Sequence, residues 1–98
     1  MFARKVEQDR SGNGQARELV AAGAWLVDVR MPAEYAAGHV PGAVNIPVQE
    51  LAHRLEELGS TERAVVVYCR SGARSASAAR LLREAGYRVT DVGPMSAY

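Results

Sequence analysis

Apolar residues along the chain gather in short runs separated by segments of mixed polarity. Runs rich in β-branched and aromatic residues predict strands over residues 25–29, 43–46, 65–68 and 87–92. The run Val65-Val66-Val67-Tyr68 is apolar at every position, which is typical of a strand buried on both faces of a sheet.

Between these runs the apolar residues recur with helical spacing. Helices are predicted over residues 15–22, 32–37, 49–58 and 75–85. A glycine directly follows each of them, as is common after a helix C-terminus. In the third segment Leu51, Leu55 and Leu58 lie at positions i, i+4 and i+7, so we expect one amphipathic helix there.

The alternation of strands and helices predicts an α/β fold, with a small parallel β-sheet flanked by helices on both faces and joined by right-handed crossovers. Residues 15–98 are expected to form this single domain. Residues 1–14 form a polar N-terminal segment that ends in a loop signal at 11–14 and allows a short edge strand near residues 3–6. Ligands of such sheets bind beyond the carboxyl ends of the strands.

Composition narrows the classes of partner. The net charge of +1 argues against non-specific nucleic-acid binding. No apolar run approaches the ~20 residues of a membrane span, and no apolar segment near residue 1 is long enough for a secretory signal. We therefore expect a cytoplasmic protein with neither a membrane nor a nucleic-acid partner.

The single cysteine excludes an internal disulfide. Together with the two histidines it shows no zinc-ligand spacing, so no metal or other cofactor is expected.

The only cysteine, Cys69, lies where a predicted strand ends and a helix is about to begin. Loop N–H groups and the helix N-terminus can converge on its sulfur, and two arginines add positive charge. Such surroundings lower a cysteine pKa to roughly 3.5–7.5 and make the thiol nucleophilic. Cys69 is therefore the predicted catalytic residue. The predicted substrate-binding loop comprises Arg70, Ser71, Gly72, Ala73 and Arg74.

Residues 69–75, Cys-Arg-Ser-Gly-Ala-Arg-Ser, resemble the active-site loop of single-domain rhodaneses, a family of sulfurtransferases. Further stretches resemble the family in order and spacing, and together they extend over about residues 15–98. These stretches are 26–30, 34–35, 38–47, 85–87 and 92–98. One departure is Gly93-Pro94, where the family usually has Gly-Gly and where proline restricts the backbone.

The resemblance implies a rhodanese-like fold and a two-step reaction. Cys69 would attack the outer sulfur of an anionic donor such as thiosulfate and become a persulfide, and the loop amides with Arg70 and Arg74 would stabilise both. Since the chain has one cysteine, the acceptor is expected to be external: cyanide, a small thiol or a protein thiol.

Two other functions stay open. One is a rhodanese-like module that carries a persulfide or binds a partner without turnover. The other is a phosphatase or arsenate reductase, whose loops in related proteins resemble C-x5-R. Four residues separate Cys69 from Arg74 here, and this shorter loop fits a sulfane sulfur better than a tetrahedral oxyanion.

Three charged residues are predicted to support the loop: Asp28, Arg30 and Glu34. An acid in an apolar strand needs a partner, and for Asp28 we expect Arg30 or a loop N–H group. The resemblance favours a structural clamp over an acid–base role for Asp28. Glu34 is expected to pair with Arg30. His39 is interpreted as a structural residue of a turn rather than as a base beside the thiol.

Overall fold

The computed structural model of the protein describes residues 12–98, so the edge strand predicted near residues 3–6 lies outside the described residues. The elements in chain order are α1 (Gly12–Ala21), β1 (Trp25–Asp28), α2 (Pro32–Ala37), β2 (Val44–Asn45), two 3-10 turns (Val48–His53 and Leu55–Glu57), β3 (Val65–Cys69), α3 (Ala73–Glu84), β4 (Val89–Pro94) and a last 3-10 turn (Met95–Ala97). No helix in this part of the chain is long and apolar enough to cross a membrane.

The strands form one four-stranded sheet in the order β2-β1-β3-β4, and every pair is parallel. The predicted parallel α/β sheet is therefore confirmed. Asp28, at the end of β1, lies opposite Asn45 of β2 and Tyr68 of β3. Because the strands are parallel and in register, their carboxyl ends bring Asp28 and Cys69 to the same edge of the sheet.

The alternation of side chains along β3 divides the core into two layers. Val65, Val67 and Cys69 pack on the face covered by α3 and the two 3-10 turns. Val66 and Tyr68 pack on the opposite face, which α1 covers. All five residues of β3 are buried, so the apolar run correctly predicts a central strand with helices on both faces.

The register between β3 and β4 shifts by one residue near their carboxyl ends. Val67 lies opposite Asp91, whereas Tyr68 lies opposite Gly93. Gly93 has a φ of +84°, which glycine adopts at little cost. Pro94 follows in an extended conformation (φ −74°, ψ 147°) opposite Cys69. The glycine therefore supplies the positive φ at this position, and the proline lies on an edge strand, where its missing N–H group is tolerated.

The prediction of one α-helix over residues 49–58 is wrong. The N–H group of Arg54 bonds to the carbonyl of Leu51, and that of Leu58 bonds to Leu55, which are the three-residue steps of 3-10 turns. Arg54 separates the two turns with φ −120° and ψ 18°. Leu51 and Leu58 are both buried as their spacing predicts. The spacing of leucines reports which side faces the core, and it does not specify the hydrogen-bond pattern of the backbone.

Several other boundaries differ from the prediction by one to three residues, and two of them have a clear physical reason. α1 begins at Gly12, within the predicted loop signal, because packing of Ala16 against the sheet outweighs the low helix propensity of the preceding glycines. β4 begins at Val89 rather than at Tyr87. Tyr87 instead completes the end of α3, where its N–H group bonds to the carbonyl of Leu82 past Gly86 (φ +102°).

The core position of Leu82 generates a prediction about stability. Leu82 is fully buried, whereas its neighbour Leu81 is only partly buried. Leu82→Ala should lower the free energy of unfolding by about 2–5 kcal/mol, because it removes buried methyl groups and leaves a cavity. Leu81→Ala is the matched control and should cost clearly less. Urea unfolding measures both, and equal losses would contradict this description of the core.

Candidate active site

Cys69 ends β3, and its side chain is fully buried where the sheet meets the first turn of α3. The N–H group of Gly72 donates to the Cys69 Sγ atom at 2.9 Å. Gly72 takes a φ of +107°, a conformation that favours glycine, and immediately precedes α3. The loop therefore wraps back on the sulfur as the sequence predicts, with backbone donors in place of water.

Ser75 is a further residue of this site, and its role is not predicted by the sequence pattern. It lies in the first turn of α3 and is fully buried. Its hydroxyl donates to the carbonyl of Gly72 at 3.2 Å and can turn to donate instead to the Cys69 sulfur when that sulfur is a thiolate. The sequence signal for such a residue is a serine three residues after the loop glycine, in the first turn of the following helix.

The surroundings of Cys69 act on its pKa in opposite directions. Burial alone raises the pKa of the thiol, but hydrogen bonds from the Ser75 hydroxyl and from the N–H groups of Ser75, Gly72 and Ser71 outweigh it. The pKa of Cys69 is lowered as a result. The thiolate is thus favoured chiefly by neutral donors of the loop and helix rather than by the two arginines of the loop.

The role of the Ser75 hydroxyl can be tested through the reactivity of the thiol. Ser75→Ala should shift the pH profile of Cys69 alkylation by iodoacetamide to higher pH, because the thiolate loses a donor. Below the midpoint the rate should fall about tenfold, since a hydrogen bond to a charged group contributes about 1.5 kcal/mol. Ser77→Ala is the control, because Ser77 is exposed on the same helix. A Ser75→Ala profile that matches the control would remove Ser75 from the site.

The two arginines of the loop have different surroundings. Arg70 is exposed, and in the part of the chain that the structure describes it forms no ion pair. Arg74 forms a two-pronged ion pair with Glu34, with Nη1–Oε1 at 2.8 Å and Nη2–Oε2 at 3.0 Å. The expectation that Glu34 pairs with Arg30 is therefore wrong. Arg30 is already bound to Asp28, so the carboxylate of Glu34 turns to the loop instead.

Asp28 and Arg30 form a buried pair at the end of β1, which confirms the expected partner of Asp28. The Asp28 Oδ1 atom accepts from the Arg30 backbone N–H and Nε, each at 2.9 Å, and Oδ2 accepts from Arg30 Nη2 at 2.7 Å. Arg30 Nη2 also donates to the carbonyl of Gly38 at 2.7 Å. These bonds use both oxygens of Asp28 and clamp β1 to the end of α2. None of them reaches residues 69–75, so among the three predicted supporting residues it is Glu34 that bonds to the loop.

Tyr68 extends this network on the other face of the sheet from Cys69. Its hydroxyl accepts a hydrogen bond from the N–H group of Val40 at 3.0 Å. Burial, with a smaller contribution from Asp28, raises the pKa of Tyr68 to about 12. The hydroxyl therefore stays protonated at neutral pH and links β3 to the segment that follows α2.

The clamp generates a second prediction about stability. Asp28→Ala should lower the free energy of unfolding by about 3–5 kcal/mol, because it leaves the buried Arg30 guanidinium without its partner. Glu57→Ala is the matched control, because Glu57 pairs with Arg54 on the surface and its loss should change the unfolding midpoint little. Urea titrations of both variants decide the matter, and similar midpoints would show that the clamp contributes no stability.

His39 lies outside the hydrogen-bond network around Cys69 described above. It is exposed, its ring stacks on Tyr35 with centroids 3.6 Å apart, and its Nδ1 atom bonds to the carbonyl of Tyr35 at 2.8 Å. That carbonyl can only accept, so Nδ1 carries a proton. These contacts place the ring in the turn after α2. Across residues 12–98 no cluster of three or more His, Cys, Asp and Glu side chains is arranged to hold a metal ion.

A surface concavity lies at the opposite end of the sheet. Its volume is about 220 Å³, and its lining includes Leu19, Gly23, Arg63 and Arg88, near the amino ends of the strands. Arg63 already donates to the carbonyl of Gly23 and stacks on Trp25. The concavity therefore contains none of the groups that surround Cys69.

The central strand of the parallel sheet ends at a cysteine of lowered pKa, and a short loop with an N–H group bonded to its sulfur leads into the next helix. Residues 12–93 match the family model of the Rhodanese-like domain, and the chain belongs to this family. The resemblance of the loop and its flanking motifs is thereby confirmed.

Similar proteins include a transcriptional regulator and several proteins named sulfurtransferases. The chain is 52% identical over 66 residues to an HTH-type transcriptional regulator of Mycobacterium tuberculosis, covering 65% of this chain and 29% of the regulator. It is 40% identical over 87 residues to the thiosulfate:glutathione sulfurtransferase of Homo sapiens, covering 74% of this chain and 76% of that protein. The solved structure of a rhodanese with anions from E. coli matches with a TM-score of 0.73 and 35% identity, covering 78% of this chain and 92% of that one. The chain thus spans under a third of the regulator's length and most of the other two, and other relatives are also named sulfurtransferases.

Proposed function

We propose that this protein is a sulfurtransferase that moves a sulfane sulfur from an anionic donor such as thiosulfate to an external thiophile through a persulfide on Cys69. One observation carries the proposal. The Cys69 sulfur is fully buried, yet its pKa is lowered because the loop and Ser75 aim hydrogen-bond donors at it. That arrangement produces a nucleophilic thiolate.

The similar proteins support the choice of substrates. The human relative is named a thiosulfate:glutathione sulfurtransferase, so a sulfur-containing dianion and a thiol are suitable donor and acceptor classes. The similar E. coli rhodanese was solved with anions. In this chain the exposed Arg70 and the first N–H groups of α3 are the groups suited to attract an anionic donor.

The first half-reaction transfers one sulfur atom. The Cys69 thiolate attacks the outer sulfur of thiosulfate, a new S–S bond forms, and the bond to the sulfonate sulfur breaks, so sulfite leaves with the electron pair. One thiolate and one dianion thus become one persulfide anion and one sulfite dianion. The N–H group of Gly72 and the Ser75 hydroxyl remain beside the sulfur and stabilise the charge throughout.

The second half-reaction returns the enzyme to its thiolate. A thiophile attacks the outer sulfur of the persulfide and takes it, which gives thiocyanate from cyanide or a new persulfide from a thiolate. Since these 98 residues contain one cysteine, the attacking group is external to them. A small thiol or a protein thiol is the proposed acceptor, with cyanide as the assay reagent, and nucleic acid and membrane have no part in the reaction.

A module that carries the persulfide or binds a partner without turnover is the second candidate. The observation that favours it is the match to a transcriptional regulator, of which the chain covers only 29%. A phosphatase or arsenate reductase fits less well. Only four residues separate Cys69 from Arg74, and Arg74 is already held by Glu34 rather than free for a tetrahedral oxyanion.

Intact mass after incubation with thiosulfate tests the first half-reaction. The protein should gain the mass of one sulfur atom, whereas Cys69→Ala should gain none, because the persulfide needs the thiolate. Adding cyanide should then remove the extra mass and release thiocyanate.

The outcomes separate the candidates. Loading that no thiophile reverses would indicate a carrier module. No loading from thiosulfate or from another sulfane donor would refute the sulfurtransferase. Hydrolysis of a phosphate ester that Cys69→Ser abolishes, without loading, would establish the phosphatase instead.

A further inference from the structure

Glu34 lies in the first turn of α2 and bonds to Arg74 at the end of the loop. Its Oε1 atom accepts from the N–H group of Met31 and from Arg74 Nη1, each at 2.8 Å, and its Oε2 atom accepts from Arg74 Nη2 at 3.0 Å. Parallel bonds between a carboxylate and a guanidinium have the same geometry that arginine uses to bind an oxyanion. Glu34 therefore occupies the edge of Arg74 that would otherwise meet a ligand.

The Glu34 carboxylate and the Arg74 guanidinium both stay charged at all pH values relevant to a folded protein. Hydrogen bonds from Arg74 and from the Met31 N–H group hold the pKa of Glu34 at about 2, so the carboxylate stays ionised. Arg74 is also close enough to Cys69 to interact with its charge. A cation within reach of the reacting sulfur is thus neutralised by a fixed anion, while Arg70 has no such partner among the described residues.

We propose that Glu34 lowers the affinity of the site for oxyanions by masking Arg74, so that the donor is bound by Arg70 and the loop N–H groups. The inference rests on the proposed function in taking an anionic donor as the ligand. It assigns the two arginines of the loop to different tasks, although the sequence places both around the substrate.

This masking has two consequences for a sulfurtransferase. Sulfite is itself an oxyanion, and a site with one free arginine releases it more readily than a site with two. Sulfate and phosphate offer pairs of oxygens that accept two parallel bonds from a free guanidinium, so masking Arg74 also keeps such ions from blocking the loop. The weaker hold on oxyanions leaves the persulfide accessible to the acceptor.

Binding of thiosulfate and sulfate to the Cys69→Ser protein, measured by calorimetry, tests the proposal without any turnover. Glu34→Gln in that background should lower both dissociation constants about fivefold or more, because Arg74 loses its charged partner and the Oε2 acceptor and can make charge-assisted bonds to the ligand. Glutamine keeps a side-chain oxygen for the Met31 N–H group. The matched control is Glu57→Gln, which changes net charge equally at the surface pair with Arg54 and should leave binding unchanged.

A second comparison shows whether the effect passes through Arg74. The neutral double variant Glu34→Gln with Arg74→Gln should bind thiosulfate about as the Cys69→Ser parent does, whereas Arg70→Gln should bind it several-fold more weakly. Equal or undetectable binding with and without Glu34→Gln would overturn the proposal. A double variant that loses as much affinity as Arg70→Gln would overturn it as well.

The masking role of Glu34 and the proposed sulfurtransferase function can each be refuted without the other. A wild-type protein that takes no sulfur from thiosulfate would refute the sulfurtransferase, even if Glu34→Gln tightened the binding of sulfate. Conversely, a protein that loads sulfur normally while Glu34→Gln changes no dissociation constant would retain the proposed function and lose the masking role of Glu34.

Discussion

A sulfur anion buried away from water is stable only where hydrogen-bond donors replace the water, and this constraint organises the carboxyl end of the sheet. Cys69 is fully buried, and the N–H group of Gly72 and the hydroxyl of Ser75 supply the donors. The positive φ of Gly72 follows from the same need, since it turns the loop back on the sulfur. The first turn of α3 then places Ser75 beside the thiol. The shape of the loop thus provides the donors that a negatively charged Cys69 sulfur requires.

The charged residues around this centre are arranged so that few of them face the sulfur without a partner. Asp28 and Arg30 satisfy each other at the end of β1, and Arg30 also reaches the carbonyl of Gly38. Glu34 holds Arg74. Buried or half-buried charges without partners would be costly and would also disturb the thiolate. Pairing therefore stabilises the strand ends and limits the positive charge that remains for a ligand.

The sequence predicts the sheet, the helices on both faces and the position of Cys69, because these depend on local periodicity and on where apolar runs end. Burial of every residue of β3 follows directly from its run of apolar residues. The 3-10 turns over residues 48–57 were not predictable, since leucine spacing reports a buried side and not a hydrogen-bond step. The partner of Glu34 was not predictable either. Its identity depends on the distance between α2 and the loop, forty residues apart in the chain, after Arg30 has been taken by Asp28.

The site separates two tasks that a single group of arginines would combine. Neutral donors from Gly72 and Ser75 favour the thiolate, whereas in the proposed function the charges of Arg70, Arg74 and Glu34 would act on the ligand. A change in the charge of Arg70, Arg74 or Glu34 can therefore alter how tightly anions bind while Cys69 keeps its hydrogen bonds. Related domains occur both in a transcriptional regulator and in a thiosulfate:glutathione sulfurtransferase. Because the hydrogen bonds to the cysteine and the charges around it can change independently, one fold can occur in proteins with such different functions.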